Sequence, residues 1–278
     1  SKYEDEESQD IKKNKIESDK KNKKVFLFKY VLGSNKLTLI SNKKAPKENW
    51  KKWANISPDS TVVFYSKKFN LYWMDKENFL KATKNEKDST IVENQWTKDG
   101  VKDYSYGGYG RGLDNEEVKK KKNDRFPIRG YWSSDSKKFV YQRTDSREIK
   151  DLWVINSVAK KRPTLETYKY HMPGEAEYYK REILIFDIPS KEIKNVKLDR
   201  SKQQYISVFS KPRKPSEYDD DFKPTLLLSE KNKIYFNTIS RDRKNLDICV
   251  ADLNTGEVKV LIKEKTNTYF YETKSIYL

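Results

Sequence analysis

The feature of this chain that most constrains its fold is a unit of turn, strand, polar turn and strand that occurs three times. Each copy opens with turn-forming residues, continues with alternating apolar residues and ends in a second apolar run. The copies lie roughly 80 to 95 residues apart, about twice the ~40 residues of a four-stranded propeller blade, which leaves room for one unmarked blade between neighbours. The pattern predicts an all-β chain, a partial β-propeller of antiparallel four-stranded blades. The copies span Ser57–Asp75, Ser133–Asn156 and Ser229–Asp252.

The composition provides few apolar residues from which to build a core. Hydrophobic residues make up 35% of the chain and charged residues 36%, but 19 Tyr, 12 Phe and 6 Trp supply large buried areas and favour strands. No run approaches the ~18 apolar residues of a membrane span, and no signal-peptide pattern opens the chain. We expect the following residues to pack one blade against the next: Trp53, Phe64, Leu71, Trp132, Phe139, Leu152, Ile234 and Leu246.

The net charge of +17 raises the question of nucleic-acid binding. Of the 59 basic residues 48 are lysine, spread through the whole chain, whereas recognition surfaces prefer the forked donors of arginine. No helix-turn-helix, zinc-finger or RNA-binding signature is present. The charge therefore indicates a solvated, lysine-rich surface and no nucleic-acid partner.

Two single residues restrict the chemistry. Cys249 is the one cysteine, so there is no internal disulfide, and its alternating apolar neighbourhood indicates a buried thiol. His171 is the one histidine, which excludes a site with two histidine ligands. The acidic run at 219–221 lacks the spacing and the glycine of a calcium loop and is interpreted as a solvated turn. We expect no metal and no cofactor.

Two regions are predicted along the chain. Residues 1–24 are almost wholly polar and form a flexible lead-in, and residues 25–278 form the propeller region. About 250 residues are enough for five to six blades, and the chain ends within an apolar, strand-like run. Because a propeller is stabilised by closing its ring, we expect the region to be truncated at its C-terminal end.

The segment from Lys161 to Glu175 is an extended run of Thr, Tyr and Lys that ends in His-Met-Pro-Gly-Glu. Together with the Trp132–Asp135 blade start and the Asn254–Glu257 blade turn, it resembles the N-terminal β-propeller region of the dipeptidyl peptidase IV family, within the prolyl oligopeptidase group of serine peptidases. The resemblance implies that an α/β-hydrolase domain follows the propeller in the parent protein, acts on peptide substrates, and is absent from this chain. It also implies a periplasmic or secreted location and a possible homodimer of the parent.

The catalytic residues of that group are absent here. The family's nucleophile lies in a Gly-x-Ser-x-Gly turn, and no such motif is present. His171 has no serine partner in any recognisable motif, so we interpret it as an ordinary loop or surface histidine. The chain alone should therefore not be an enzyme, whereas the parent protein should be a serine-type peptidase.

The resemblance also suggests one substrate-binding feature. In the dipeptidyl-peptidase branch a pair of glutamates before a blade start holds the free amino terminus of the substrate, and the nearest match is Glu116 with Glu117. Adjacent carboxylates suit an ammonium group. The alternative is a solvated, charged loop, because four lysines at 119–122 separate the pair from Trp132. A further candidate is a peptide-facing loop carrying Tyr104, Tyr106 and Tyr109, with an ordinary packed turn as the alternative.

Three functions therefore remain open. The first is a propeller that gates and positions peptides for a hydrolase domain. The second is a stand-alone propeller that serves as a protein-interaction scaffold, and the third is a periplasmic propeller of the TolB type. The sequence downstream of residue 278 in the parent gene would separate them.

Overall fold

A computed structural model describes residues 27–31, 33–41, 51–108, 113–158, 162–199, 204–212, 224–229 and 232–271. The predicted polar lead-in, 1–24, lies outside these residues. Two compact units are present, and the first, within Ser1–Asn49, contributes a single hairpin. The second contributes all other described residues. Among the described helices, none has the length and apolar character needed to cross a membrane.

Strands dominate the described part of both units, and the second unit also has two short described helices. The helices are α1 (Lys76–Lys84) and α2 (Asn115–Lys121). The strands are β1 (Leu27–Val31), β2 (Lys36–Ser41), β3 (Asn55–Ile56), β4 (Val62–Lys67), β5 (Asn70–Asp75), β6 (Asn94–Gln95), β7 (Gly130–Trp132), β8 (Lys138–Asp145), β9 (Asp151–Asn156), β10 (Thr164–Lys169), β11 (Lys180–Asp187), β12 (Ile193–Asn195), β13 (Gln204–Val208), β14 (Thr225–Leu226), β15 (Lys233–Ser240), β16 (Asn245–Asp252) and β17 (Val258–Lys265).

The described strands form five separate sheets. Sheet A has the order β3-β4-β5-β6, sheet B the order β12-β11-β8-β7-β14, and sheet C the order β13-β15-β16-β17. The pairings are antiparallel except that β14 runs parallel to β7. Two two-stranded hairpins, β1-β2 and β9-β10, complete the set.

The repeated sequence unit has a common backbone conformation. The fourth residue of each opening turn adopts a positive φ: 60° at Ser60, 61° at Ser136 and 52° at Asn232. In the first two copies the leading serine hydroxyl accepts from a backbone N–H five residues later, at 3.0 Å for Ser57 and 2.8 Å for Ser133. Each turn therefore leads directly into the first long strand of its sheet.

The three larger sheets pack in chain order, sheet A against sheet B and sheet B against sheet C, and each neighbouring pair shares a hydrophobic core. Phe64 of sheet A stacks on Trp132 of sheet B, with ring centroids 5.1 Å apart, and both are fully buried. Ile183 of sheet B lies in one cluster with Ile234 of sheet C. Among the residues that the structure describes, no unmarked blade lies between neighbouring copies, because the extra residues form α1, β6, α2 and the β9-β10 hairpin.

The second copy differs from the first at its last strand. Asp151–Asn156 corresponds in the repeat to β5, which pairs with β4, but it pairs with β10 and not with β8. Its place beside β8 is taken by β11, which aligns Ile183 with Gln142. The physical reason is burial: Ile183 to Phe186 are all buried in sheet B, whereas Trp153 and Ile155 remain exposed.

The architecture confirms the predicted class, an all-β chain that fits a partial propeller. The described residues contain three sheets of four or five strands and two hairpins, compared with the five to six four-stranded blades expected. Sheet B has its fifth strand because β14, the strand before the third repeat, joins β7 through a parallel pairing. Leu152 and Leu246 are half-buried, and the other residues expected to pack between blades are buried.

Candidate functional site

The glutamate pair lies in the first turn of α2, where the sequence suggested a long charged loop. Asp114 caps the helix by accepting from the N–H of Glu117 at 2.8 Å, and the Glu117 carboxylate accepts from the N–H of Asp114 at 3.2 Å. This reciprocal capping box satisfies two backbone donors that a helix start otherwise leaves open. An aspartate three residues before a glutamate, followed by valine and lysines, was the sequence signal for this helix.

The two carboxylates have different surroundings. Val118 is the buried residue of α2, so Glu116, two residues earlier, faces away from the core at ~100° per residue. The Glu116 carboxylate pairs with Lys119 and its side chain is 60% exposed. The Glu117 side chain is 45% exposed and lies 3.9 Å from the Lys121 ammonium. The hydrogen bond and charge of Lys119 lower the pKa of Glu116, so this carboxylate is ionised at neutral pH.

A side-chain contact connects α2 to the neighbouring hairpin. The Asn115 amide donates to the Thr167 hydroxyl of β10 at 2.6 Å. On the other side of β10, Tyr168 donates to the Glu166 carboxylate, and this bond raises the pKa of Tyr168 to about 12. The pair of glutamates is therefore presented beside an exposed hairpin, with access from solvent.

A second group of polar residues, which the sequence reasoning missed, surrounds the buried Arg143 guanidinium near the end of β8. The Arg143 guanidinium donates to Glu182 at 2.6 Å and to Asp99 at 2.7 Å, and it lies 3.7 Å from the centre of the Tyr104 ring. The Tyr104 hydroxyl donates to the same Glu182 carboxylate at 2.7 Å. The network joins sheet B to the loop at 97–108.

The network favours the charged forms of Asp99 and Arg143. Burial opposes ionisation of Asp99, but the hydrogen bond and charge of Arg143 outweigh it and lower the pKa of Asp99. Burial also opposes the charged form of Arg143, yet its acidic partners raise the pKa of the guanidinium. Burial, more than the nearby carboxylates, raises the pKa of Tyr106, whose hydroxyl donates to Asp99 at 2.9 Å. This arrangement holds the loop at 97–108 against sheet B.

Gly100 lies where two backbones come close together, although an Asp-Gly pair is typical of a tight turn. A Cβ at Gly100 would lie 2.1 Å from the Phe69 carbonyl oxygen, so the glycine permits close approach of two backbones. The turn itself occurs later, at Asp103, whose φ is 67°. Tyr106 is buried, which favours the packed-turn interpretation of this loop over a peptide-facing one.

The remaining candidates from the sequence are an aromatic residue, an acidic run, a histidine and a cysteine. Tyr109 and the acidic run at 219–221 lie outside the described residues. His171 contacts the Arg241 guanidinium at 3.1 Å and the Glu175 carbonyl oxygen at 3.2 Å. Cys249 is buried, as predicted. In the part of the chain that the structure describes, no three acidic, histidine or cysteine side chains are grouped so that they could hold a metal ion.

Comparisons with known proteins give a consistent result. A family model described as "Dipeptidyl peptidase IV (DPP IV) N-terminal region" matches residues 9–278 of this chain. Among curated proteins, no sequence matches significantly. Among solved structures, the chain is similar to a protein described as a dipeptidyl aminopeptidase IV from Bacteroides ovatus, with 13% identity and a TM-score of 0.51. It is also similar to Porphyromonas gingivalis dipeptidyl peptidase 4, with 15% identity and a TM-score of 0.52.

Both structural matches cover most of this chain but only part of the other protein. Each covers 88% of this chain but 29% of the other, so this chain spans less than a third of either protein's length. At such low identity the likeness shows a shared fold. The activity of the longer proteins is therefore not transferred by the comparison alone.

Proposed function

Because this chain belongs to the family of dipeptidyl peptidase IV N-terminal regions, we propose that it is the non-catalytic propeller part of a serine peptidase of this class. In this role it gates access and positions peptides for an α/β-hydrolase domain elsewhere in the same protein. The observation that best supports this proposal is the family match over residues 9–278. The sequence supports a non-catalytic role, since it has no Gly-x-Ser-x-Gly motif and a single histidine. A periplasmic or secreted location and a homodimer of the parent are parts of the same proposal.

The test compares the natural full-length protein with residues 1–278. We expect the full-length protein to hydrolyse Gly-Pro or Ala-Pro reporter amides and to be labelled by a fluorophosphonate, which reacts with activated serines. We expect residues 1–278 to do neither. A full-length protein that shows no turnover and no labelling would contradict the peptidase proposal and favour the interaction scaffold.

We further propose that Glu116 and Glu117 hold the substrate's free amino terminus. Three observations support this: both carboxylates are accessible, the capping box fixes their helix, and the lowered pKa of Glu116 keeps that carboxylate charged. The pairing with Lys119 and Lys121 competes with an ammonium ligand. The exposure of these pairs makes them weak, so a bound substrate can displace them.

The matched experiment replaces both glutamates by glutamine in the full-length protein. Glutamine retains the shape and the capping acceptor but removes the charge. We expect kcat/KM for free-amine substrates to fall by about a hundredfold, from the loss of two charge-assisted contacts, with no change for blocked amino termini. The control is Glu77→Gln on α1, another exposed glutamate paired with a lysine, which should have no effect. Equal loss for free and blocked substrates would contradict amine binding.

A further inference from the structure

The chain that leaves α2, residues 122–126, attaches the helix to sheet A. The Lys68 N–H donates to the Lys122 carbonyl at 2.8 Å, and Ser66 and Phe126 exchange two backbone hydrogen bonds, each 2.8 Å long. This antiparallel bridge adds residues 122–126 to β4. A helix as short as α2 is marginal in water by itself, so the contacts of the adjoining chain determine where it lies.

The Arg125 side chain strengthens this attachment. Its guanidinium donates to the Glu93 carboxylate at 2.7 Å and to the Glu86 carbonyl oxygen at 3.2 Å. The same guanidinium lies 5.1 Å from the centre of the Trp53 ring and 5.7 Å from that of Tyr65. A planar guanidinium held by a carboxylate, a carbonyl and two rings has a single defined position.

Glu93 joins two cations that belong to different parts of the chain. One carboxylate oxygen accepts from Arg125, and the other accepts from Lys67 at the end of β4. The side chains of Arg125, Glu93 and Lys67 are 11%, 17% and 23% exposed. Burial opposes ionisation of Glu93, but the hydrogen bonds and charges of the two cations outweigh it and lower the pKa of Glu93. Such a shielded ion cluster is far more costly to break than an exposed pair.

The position of α2 matters because it carries Glu116 and Glu117. Charge-assisted hydrogen bonds to an ammonium group are short and directional. A misplacement of about 1 Å caused by a change remote from the reacting groups can cost about a hundredfold in rate. The glutamates therefore need an anchor for their helix, and the ion cluster lies only a few residues further along the chain.

We propose that the cluster of Glu93, Lys67 and Arg125 positions the glutamate pair: it fixes the end of α2 against sheet A and so determines where the two carboxylates meet the substrate's amino terminus. Arg125 and Glu93 are positioning residues, because they act through α2 and not by touching the peptide. This inference rests on the amine site in the proposed function and identifies the residues that hold it in place.

The test measures kcat/KM of the natural full-length protein for two reporter amides, one with a free amino terminus and one with an acetylated amino terminus. Arg125→Met should lower the ratio of the free-amine value to the acetylated value by about tenfold, because the glutamate pair shifts relative to the bound peptide. Arg125→Lys retains the charge beside Glu93 but not the forked donors, so it should lower the ratio by only about threefold. A general loss of folded protein would lower both values together and leave the ratio unchanged.

Lys138→Met is the matched control. Lys138 pairs with Asp187 in sheet B, and the two side chains are 12% and 19% exposed, close to the values for Arg125 and Glu93. It should lower the midpoint of urea unfolding about as much as Arg125→Met does, but leave the ratio unchanged. Glu93→Gln keeps the shape of the side chain and removes its charge. It should lower the ratio about as much as Arg125→Lys, so the test does not depend on the folding of Arg125→Met.

A combined variant shows whether Arg125 acts through the glutamates. In protein that already carries Glu116→Gln and Glu117→Gln, Arg125→Met should lower the ratio no further, and a further loss would overturn the positioning role. If the two glutamines alone leave the ratio at its wild-type value, or the full-length protein shows no turnover, the amine site falls and this inference with it. If the two glutamines lower the ratio but the Arg125 and Glu93 variants do not, or Lys138→Met lowers it equally, only the positioning role is overturned.

Discussion

Replacing Arg143 by methionine should lower the free energy of unfolding by about 3–5 kcal/mol, because it leaves the Glu182 carboxylate buried without the guanidinium. The side chains of Arg143 and Glu182 are each 5% exposed, and their atoms lie 2.6 Å apart. The second ion pair contributes less, about 1 kcal/mol or below, since the Asp99 side chain is 55% exposed and solvent screens it. Methionine retains an unbranched stem, which limits the cavity that the substitution leaves.

Lys197→Met is the control for this variant. Lys197 pairs with Glu257, and the two side chains are 60% and 64% exposed. We therefore expect Lys197→Met to cost about 1 kcal/mol or less. Urea unfolding of both variants, followed by tryptophan fluorescence, gives the midpoint and the m-value. Equal losses for the two variants at unchanged m-value would refute the argument that burial makes the Arg143 pair costly to break.

The same variant predicts a change in pH dependence. The folded-state pKa of Asp99 is lowered, so Asp99 contributes stability that is present above its unfolded pKa of about 3.9 and is lost as pH falls through the folded value. Replacing Arg143 removes the main interaction that lowers the pKa of Asp99. We therefore expect the difference in stability between wild type and Arg143→Met to shrink below pH 4. A difference that stays constant down to pH 2 would show that Asp99 does not depend on this guanidinium.

Further substitutions test the close contacts and the helix cap. Gly100→Ala should cost about 1–3 kcal/mol, since its Cβ would lie 2.1 Å from the Phe69 carbonyl oxygen, whereas Gly108→Ala, with its nearest atom at 3.6 Å, should be almost neutral by urea unfolding. Asp114→Ala should cost about 1 kcal/mol by removing the cap of α2, and Asp114→Asn should restore most of it. Cys249, buried at 3% exposure, should react with a thiol reagent in denaturant and resist it in the native state.

The local sequence pattern predicted strands well where a strand pairs with the next strand along the chain. Period-two alternation predicted β4 and β8, because that signal is local. The strand that pairs with β8 could not be predicted in this way, because two apolar runs follow β8 and only tertiary burial decides between them. The Arg143 network was missed for a related reason: its members are 39 and 44 residues apart, and nothing local marks them as partners.

The repeat fails at a hairpin that contacts the helix carrying the candidate glutamates. In sheet A the second long strand follows the first after a tight turn, at Lys68 and Phe69, and nothing is inserted. In sheet B the chain leaves after β8, forms the β9-β10 hairpin, and returns as β11 to complete the pairing. A sheet tolerates such an excursion because its edges and core are unaffected and loop closure costs little per added residue. The excursion contributes no residue of its strands to the buried apolar core, yet it supplies the contact that holds α2 and its glutamates. The insertion therefore leaves the pairing of β8 with β11 intact and places the β9-β10 hairpin beside α2.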